Sequence, residues 1–481
     1  MYRYYGKNVR PFTAVCNNEF GRKIICTNQE SINQDNIIDE LDKALSIHQQ
    51  NIKEIMYLDR YYRGDQPILY YKKIVRPEIN NRIVENHAFE LVESKTAELV
   101  GEPVQYVLRG TDPKKSELVK KLNDYMESED KGFYDTELCR WRSICGTSYR
   151  FVPNDMGKGN LMDETPFAIR IEHPADTFVV YFANSKNPAF SCQIRKDTND
   201  KEFYFIYTQN QYFKIQNRAI QKSGVNGNFM IPVIEYPNNE RRLSDIEMTI
   251  LLSDELNKMQ SNRMNGIEQF VQALMKFKNC EIDKKEFINM VNLGAISIKG
   301  TSKNGDCDVD IMTSELNQDQ NQVAKDDVYQ NFLLIQGKPG RQENSGGDTG
   351  QAVVLRNGYY DSEKRAELSE PIFKKSERDF LRVVLNRLRV LGEIDLKISD
   401  IEIKITRSKT DNMSVKASVL QILLSCGIEY GRAIKTVGLW SDPEEVTIES
   451  RDRMELLYRS SKESNTNNVN IDTSATETKN N

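Results

Sequence analysis

A long amphipathic helical pattern runs from Ser244 to Leu274, with apolar residues recurring at steps of three and four and only Gly266 interrupting it. The same spacing resumes at Leu316 and extends to Ile335. An apolar stripe on a helix has to be covered by another element of the same chain or by another chain. The two segments therefore predict either helices that pack on each other within one subunit or helices that join subunits, and the residues favour neither alternative.

The residues between these two helices, 280–312, predict a small α/β insert. A short helix is expected from about Phe287 to Leu293, a first strand from Ala295 to Lys299, and a second strand from Val309 to Met312. Such an insert would lie at the tip of the helical pair.

Three aspartates alternate from Asp306 to Asp310, as they do at the start of a calcium-binding loop. The sixth position of such a loop would be Ile311 instead of glycine, and the twelfth would be Asn317 instead of glutamate. Alternation is also typical of a strand with one apolar face. The sequence favours the strand.

A glycine-rich segment, residues 337–350, follows the second helix. It contains five glycines and one proline, which is the composition of a loop. Lys338 and Arg341 are its basic residues, and Glu343 and Asp348 are its acidic ones. A mobile surface connector is the plain interpretation. The length of the segment and its position between two long helices raise the alternative of a functional loop.

The part of the chain before these helices predicts two further helices and a sheet. Residues 29–60 carry the spacing of a surface helix, and Asn80 and Asn81 are expected to cap a helix from Arg82 to Val100 that ends at Gly101. Short β-branched and aromatic runs between about residues 145 and 240 predict an antiparallel sheet.

After the glycine-rich segment, a helical pattern runs from about Ala352 to Leu391, with Pro371 expected to kink it or to restart it. An alternating strand follows from Ile401 to Ile405, and short helices lead on to Tyr458. About the last twenty residues are rich in Ser, Thr and Asn, and we expect them to be disordered.

Bulk composition limits the function classes. The 481 residues are 38% hydrophobic and 28% charged, which predicts a sizeable core and about three structural units. Lys and Arg number 66 against 71 Asp and Glu, for a net charge of -5. This balance argues against a protein that gains affinity for nucleic acid by neutralising many phosphates. Any contact with nucleic acid should be weak or local.

The compartment is predicted from what the sequence lacks. No secretory signal and no apolar run long enough to span a membrane are visible, so we expect no membrane partner. The eight cysteines lie far apart and do not form a zinc or disulfide pattern. Reduced, intracellular assembly is the expectation.

Catalytic, metal and cofactor sites are not predicted. A phosphate-binding loop needs Gly-Lys followed by Ser or Thr, but the three Gly-Lys pairs, at Lys7, Lys158 and Lys338, are followed by Asn, Gly and Pro. His48, His87 and His173 are too scattered for a metal cluster or a nucleophilic triad. The tripeptide 63–65, Arg-Gly-Asp, is better explained by a tight turn than by cell adhesion.

Several blocks of the sequence resemble a known family. They lie, in order, at residues 61–64, 67–69, 80–106, 146–149, 173–178, 231–236, 244–247 and 345–355. Their order and spacing resemble those of portal proteins from siphophages of Gram-positive hosts, the head-to-tail connectors of tailed phages. The likeness covers about residues 55–460, and Pro371 and the N-terminal extension depart from it.

The resemblance implies an α+β, multi-part portal fold with an α/β wing, a helical stem, a small α/β clip, a long kinked helix and a helical crown. The implied division is wing at 1–243 (with the N-terminal extension), stem helices at 244–275 and 313–336, clip at 276–312, tunnel loop at 337–350, long helix and wing strand at 351–410, crown at 411–460 and disordered tail at 461–481.

The resemblance also implies that the tunnel loop meets DNA. We expect Lys338 and Arg341 to touch the duplex, and the glycines of the loop to let each subunit's copy shift as DNA slides past. The expected residues of the loop site are Lys338, Gly340, Arg341, Asn344, Gly346 and Gly347.

The implied assembly is a dodecameric ring of identical subunits at one capsid vertex of the virion, put together in the host cytoplasm. Its implied partners are double-stranded DNA, bound transiently and without sequence preference, the terminase large subunit, head-to-tail adaptor proteins, and the major capsid and scaffolding proteins. The alternatives that stay open are another oligomeric head or neck protein, a portal-like protein of a defective prophage or gene-transfer particle, and a subunit of a DNA-processing enzyme.

Overall fold

The computed structural model describes residues 21–74, 77–153, 165–271, 274–278, 308–312, 318–338, 359–405, 413–440 and 446–451, with a few isolated positions besides. Helices and strands both occur along this part of the chain, which confirms the α+β class. The helices are α1 (Ile37–Tyr62), α2 (His87–Val100), α3 (Pro113–Ser128), α4 (Lys131–Cys145), α5 (Ile250–Val271), α6 (Gln318–Gln336), α7 (Tyr359–Val390), α8 (Met413–Ser425) and α9 (Tyr430–Val437).

The strands of the described residues form two sheets and two strand pairs. They are β1 (Ile25–Thr27), β2 (Gln105–Leu108), β3 (Thr147–Phe151), β4 (Arg170–Glu172), β5 (Thr177–Phe182), β6 (Pro188–Lys196), β7 (Glu202–Tyr207), β8 (Gln211–Gln216), β9 (Ala219–Val225), β10 (Val233–Pro237), β11 (Leu274–Lys278), β12 (Asp308–Met312) and β13 (Ile401–Lys404). One sheet has the order β1-β5-β6-β7-β8-β9 and another the order β10-β3-β4, while β11 pairs with β12 and β13 with β2.

The six-stranded sheet carries a core of its own. Its strands β5 to β9 are antiparallel neighbours, as predicted for this part of the chain. Phe178, Val180 and Phe213 point to the face that α1 covers with Ile37 and Leu41, and all five side chains are buried. The sequence did not predict β1, which adds to the edge in parallel with β5, because three residues are too few to show an alternating pattern.

The largest core gathers around α7. Its buried residues Phe380 and Val384 pack in one cluster with Tyr106 of β2 and Ile403 of β13, which lie opposite each other in that strand pair. The strand predicted from Ile401 is therefore confirmed, and it joins the chain after α7 to a strand almost three hundred residues earlier. A smaller cluster joins α1, α2 and α4.

A buried set of charges also holds α7 in place. The carboxylate of Glu377 contacts Tyr106 of β2 at 2.5 Å, Lys131 of α4 at 2.9 Å, Arg150 of β3 at 3.1 Å and Tyr236 of β10 at 2.6 Å. Asp135 of α4 pairs with both Lys131 and Arg150, so two cations face two anions. We call these six side chains the Glu377 cluster. They connect α7 to four other elements.

The predicted start of α2 is wrong. The helix begins at His87, not at Arg82, and its cap is Asn86, whose side chain accepts a hydrogen bond from the backbone N–H of Phe89 at 3.3 Å. Asn80 and Asn81 precede a non-helical segment. The predicted end at Gly101 is confirmed. The residues before His87 are taken up by contacts with α5, which are described below.

Three other helix bounds differ from the expectation. The first helix begins at Ile37 instead of residue 29, and α5 begins at Ile250 instead of Ser244. Leu274 belongs to β11 and not to the preceding helix. The helix α7 continues through Pro371, so a restart there is wrong. Residues 352–358 of the predicted helix lie outside the described residues.

The insert between α5 and α6 is closed at its base. The strand predicted near Val309 is confirmed as β12, and it pairs antiparallel with β11, Leu274 opposite Met312 and Lys278 opposite Asp308. The same residues could not form the opening of a calcium loop while they pair in this ladder. The predicted first strand, 295–299, and the predicted helix, apart from Ile288, lie outside the described residues.

Candidate functional site

The two helices that flank the insert pack against each other in opposite directions. Gln336, at the end of α6, donates to the carbonyl oxygen of Asp245 and to the hydroxyl of Thr249, both at 2.7 Å, just before α5 begins. Further along the pair, Arg263 of α5 donates to the side-chain oxygen of Gln322 at 2.7 Å. The antiparallel pair therefore has its polar contacts at both ends.

The apolar residues of the pair divide between its interior and its surface. Leu256 of α5 and Phe332 of α6 are buried, whereas Ile267, Val323 and Leu334 are exposed. The two alternatives left open by the sequence thus apply to different residues. Some of the apolar stripe packs within the subunit, and the rest is available for contacts with other molecules.

A ladder of polar side chains on α5 holds the segment before α2. Asn257, Ser261 and Asn265 lie one helical turn apart, and their oxygens accept the backbone N–H groups of Glu85, Ile83 and Asn81 at 2.7, 3.0 and 2.7 Å. Four helical residues advance about 6.0 Å and two extended residues about 6.6 Å. The spacing of the acceptors on α5 therefore matches the spacing of the backbone donors in the extended segment over this short length.

This ladder explains residues that the sequence analysis did not identify. Three Asn or Ser residues at positions i, i+4 and i+8 were a readable stripe within α5, but a polar stripe is typical of a solvated helix face. Only the position of residues 81–85 in the fold shows that these side chains replace a strand partner.

The same segment also contacts α6. Glu85 pairs with Lys325 of α6 at 2.5 Å, and the ring of His87 lies 4.9 Å from that of Tyr329 and 5.7 Å from that of Phe332. Hydrogen bonding with His87 and the charge of Lys325 lower the pKa of Glu85 despite its partial burial. The chain before α2 thus connects α5 and α6 as well as lying against them.

The end of α6 is the base of the glycine-rich segment. The N–H groups of Gly337 and Lys338 donate to the carbonyl oxygens of Leu334 and Leu333 at 3.1 and 2.9 Å, which is the pattern of a Schellman cap. Gly337 has φ of +69°, a conformation that favours glycine. The helix therefore ends at a defined point, and the segment leaves it in a defined direction.

Arg365 of α7 closes this end from the other side. Its guanidinium donates to the carbonyl oxygens of Leu334 and Ile335 at 3.3 and 2.9 Å. A Cβ on Gly337 would lie 2.5 Å from Cδ of Arg365, so no larger residue fits while the arginine keeps this position. A cation at the carboxyl end of a helix is also favoured by the helix dipole.

Lys338 forms an ion pair with Glu98 of α2 at 2.8 Å, and its side chain is only 16% exposed. The other five residues expected in the loop site, Gly340, Arg341, Asn344, Gly346 and Gly347, lie outside the described residues. Glu98 and Arg365, which fix the base of the loop, were not predicted from the sequence. Neither carries a local signal, because both act from helices distant in sequence.

Metal ligands and membrane spans were the two other features to look for in the described residues. Within the ranges given above, no group of three or more His, Cys, Asp or Glu side chains is placed to hold a metal ion. None of the helices in this part of the chain combines the length and the apolar content needed to cross a bilayer.

Two solved structures align with much of this chain. A chain in the neck of an empty GTA particle, computed with C6 symmetry, has a TM-score of 0.45 and 9% identity, over 80% of this chain and 94% of that chain. A chain in the virion of a native gene transfer agent particle has a TM-score of 0.43 and 10% identity, with the same shares covered.

Sequence comparison gives a closer relation. The portal protein of Bacillus phage SPP1 is 26% identical over 222 residues, which are 45% of this chain and 42% of that relative, so the match spans less than half of that protein's length. The family described as phage portal protein, SPP1 Gp6-like, matches residues 41–428, from α1 to the end of α8. By this match over most of its length, the chain belongs to the phage portal protein family, SPP1 Gp6-like.

Proposed function

We propose that this chain is one subunit of a dodecameric ring at one vertex of a phage capsid, and that double-stranded DNA is packaged and ejected through the central channel. The observation that carries the proposal is the antiparallel pair α5 and α6, with a closed insert at one end and the fixed base of a glycine-rich segment at the other. Family membership supports the portal role. The role of such a protein in the virion is structural.

The proposed parts of the subunit follow the divisions made from the sequence. Residues 276–312 form the clip, α5 and α6 belong to the stem, residues 337–350 form the tunnel loop, and 411–460 form the crown. Residues 1–243 and 351–410 form the wing. The pairing of β11 with β12 supports the clip assignment, because it brings the two ends of the insert together.

A channel protein has to hold DNA without gripping it, since each phosphate that is neutralised adds affinity to be broken at every step. The net charge of -5 supports weak contact. Lys338 is neutralised by Glu98 at 2.8 Å, which limits the cationic charge at the base of the loop. In the proposed mechanism, Arg341 reaches the duplex, and Lys338 joins it when the pair with Glu98 opens.

Packaging assays with loop variants test this mechanism. Deleting residues 340–347 keeps the cap at Gly337 and the pair between Lys338 and Glu98, so the fold should be retained while DNA filling falls. Glu98→Gln frees Lys338 without removing it, and we expect slower packaging because the loop then holds the duplex more tightly. Normally filled heads from the deletion variant would contradict a role of the loop in packaging.

We further propose that the clip binds the terminase large subunit during packaging and head-to-tail adaptor proteins afterwards, and that the wing contacts capsid and scaffolding proteins. Pull-down of terminase by rings with and without residues 279–307 tests the first contact. In this variant a two-residue Asn-Gly turn replaces residues 279–307 and joins Lys278 of β11 to Asp308 of β12. If rings without these residues capture as much terminase as complete rings, the clip is not the surface that binds terminase.

Negative-stain electron microscopy of the purified full-length chain tests the proposal as a whole. The expected particles are rings with a central hole, and mass photometry should give a single assembly near twelve subunits. A chain that stays monomeric at micromolar concentration and at low and moderate salt would contradict the ring. If rings form, immunogold labelling should locate the protein at one vertex of the virion.

A further inference from the structure

A partly exposed hook precedes the segment that the ladder on α5 holds. It consists of residues 68–74, Ile-Leu-Tyr-Tyr-Lys-Lys-Ile, and it is fixed at its base because Arg82 donates to the carbonyl oxygen of Leu69 at 2.9 Å. Tyr71 is 55% exposed and Ile74 is 95% exposed. Single exposed apolar residues are ordinary, whereas contiguous ones rimmed by polar residues are typical of interaction surfaces.

The outward surface of α6 has the opposite charge. Asp319, Val323, Asp326 and Asp327 lie on one face of the helix and are exposed, Val323 at 69%. We call these four residues the acidic face. The lysine of this helix, Lys325, points to the other side, where it pairs with Glu85. The acidic face therefore offers three carboxylates around one apolar side chain.

The hook and the acidic face lie at the same height along α5. Asn81 contacts Asn265 and Glu268 of α5, and its neighbour Asn80 donates to the carbonyl oxygen of Tyr71 in the hook at 3.3 Å. Gln322, within the acidic face's stretch of α6, contacts Arg263. These points on α5 are five residues apart at most, or about 7.5 Å along the helix. In a closed ring, each subunit meets the next by one rotation, so two surfaces that touch across the interface have to lie at equal height along the ring axis. In the proposed ring, α5 of the stem runs along that axis.

We propose that the hook of each subunit binds the acidic face of the next subunit in the ring. Lys72 and Lys73 pair with the aspartates, while Tyr71 and Ile74 cover Val323. Such a contact is heterologous, as ring closure demands: it joins two different surfaces that are both present on every copy. The charge complementarity favours a second copy of this chain as the occupant. The inference rests on the proposed ring and names its interface.

Charge reversal tests the contact. Two double variants of the full-length chain reverse the charges: Lys72→Glu with Lys73→Glu, and Asp326→Lys with Asp327→Lys. Each should lower the association constant between subunits by about tenfold or more, because close interfacial charge pairs contribute that much. All four changes in one chain should restore the rings, because attraction returns with inverted signs. Mass photometry across a salt series measures the assembly, and wild-type rings should weaken as salt screens the pairs.

A matched control is available on the exposed surface of α5. Glu255 and Lys258 pair with each other within that helix, so exchanging them (Glu255→Lys with Lys258→Glu) changes local charges without touching the proposed contact. This variant should form rings as the wild type does. Circular dichroism confirms that each variant is folded.

A crosslink gives a second readout that does not depend on the stability of the reversed variants. In a chain whose exposed cysteines Cys26 and Cys426 are replaced by Ser, Ile74→Cys with Val323→Cys should give disulfide-linked ladders up to the full ring under mild oxidation, and either single change in that background should not. Rings that form in the wild type, resist all charge reversals and give no ladder would overturn the inference and leave the ring proposal intact. Absence of wild-type rings would instead contradict the ring proposal itself.

Discussion

The buried carboxylate of Glu377 shows how a single residue can determine the position of a helix. Burial opposes its ionisation, but the charges of Arg150 and Lys131 and hydrogen bonds from two tyrosines prevail and lower its pKa to about 2. It is therefore charged at all pH values at which a protein of this kind works. Removing the charge would leave two buried cations facing Asp135 alone.

Glu377→Gln is expected to lower the free energy of unfolding by about 3–5 kcal/mol, because breaking a buried ion pair leaves an uncompensated charge. Urea unfolding followed by far-ultraviolet circular dichroism measures it. Arg382→Ala is the matched control on the same helix: its pair with Asp379 is about half exposed, so the loss should stay below about 1 kcal/mol. If Glu377→Gln lowers the free energy of unfolding by as little as the control does, the Glu377 cluster is not stabilising.

His48 makes the protein sensitive to mild acid. Burial lowers its pKa to about 4, although its Nε2–H donates to the carbonyl oxygen of Ala175 at 2.9 Å, which favours the charged form. The pKa in the unfolded chain is higher, near 6.5. The stability that neutral His48 contributes is therefore present above about pH 6.5 and is lost as the pH falls toward 4.

We expect the free energy of unfolding to fall by about 2 kcal/mol between pH 7 and pH 5 through this histidine. His48→Gln removes the titrating group, so the variant should lose most of this slope even if it is less stable at pH 7. Urea unfolding of both proteins at the two pH values gives the comparison. Identical slopes would assign the acid sensitivity to other groups.

At the level of elements, the end of α6 depends on one glycine and one arginine. Gly337 has a positive φ, and Arg365 occupies the space that a side chain would need. The sequence predicted a break here from composition. It did not predict that α7 returns to cap the carbonyl oxygens of α6.

Gly337→Ala should therefore lower the free energy of unfolding by more than the same substitution at a positive-φ glycine that has open space around it. Gly392→Ala is the control, since Gly392 has φ of +74° but no atom within 4 Å of an added Cβ. This control should lower the free energy of unfolding by about 1 kcal/mol. Gly337→Ala should add the loss of the Arg365 contacts and speed amide hydrogen exchange in the last turn of α6. Equal exchange in that turn for variant and wild type would contradict the role of Arg365.

Pro371 is the second element-level feature with a measurable consequence. It lies inside the 32-residue helix α7 and cannot donate a backbone hydrogen bond. Pro371→Ala restores this donor, and we expect it to raise the free energy of unfolding by about 1–2 kcal/mol after the greater flexibility of the unfolded chain is allowed for. Thermal unfolding measures the change. A lower melting temperature would mean that the proline shapes α7 for its packing.

At the scale of the whole molecule, a net charge of -5 and a neutralised Lys338 predict weak binding to duplex DNA. Assembled full-length protein should show little retention of a duplex oligonucleotide at about 0.15 M salt, and its affinity should depend on salt far less steeply than that of a protein that makes 6–10 phosphate contacts. Fluorescence anisotropy across a salt series measures both. A steep slope would contradict a channel that lets DNA slide.

The amino-acid sequence alone was enough to predict the antiparallel sheet, the helices that became α5, α6 and α7, the strand β13 and the break at Gly337. These features depend on local spacing and on residues with special backbone preferences. The family was also recognised from ordered blocks, and the match over residues 41–428 confirms it. The loop residues beyond Lys338 stay a prediction.

Only the tertiary structure decided which polar residues act together. Asn257, Ser261 and Asn265 could have faced solvent, and residues 82–86 could have continued α2, until both were placed side by side. Likewise, β1 pairs with β5, and Glu377 meets partners from four distant elements. Periodicity reports which face of an element is apolar, whereas the partner of a polar side chain is set by neighbours that are distant in sequence.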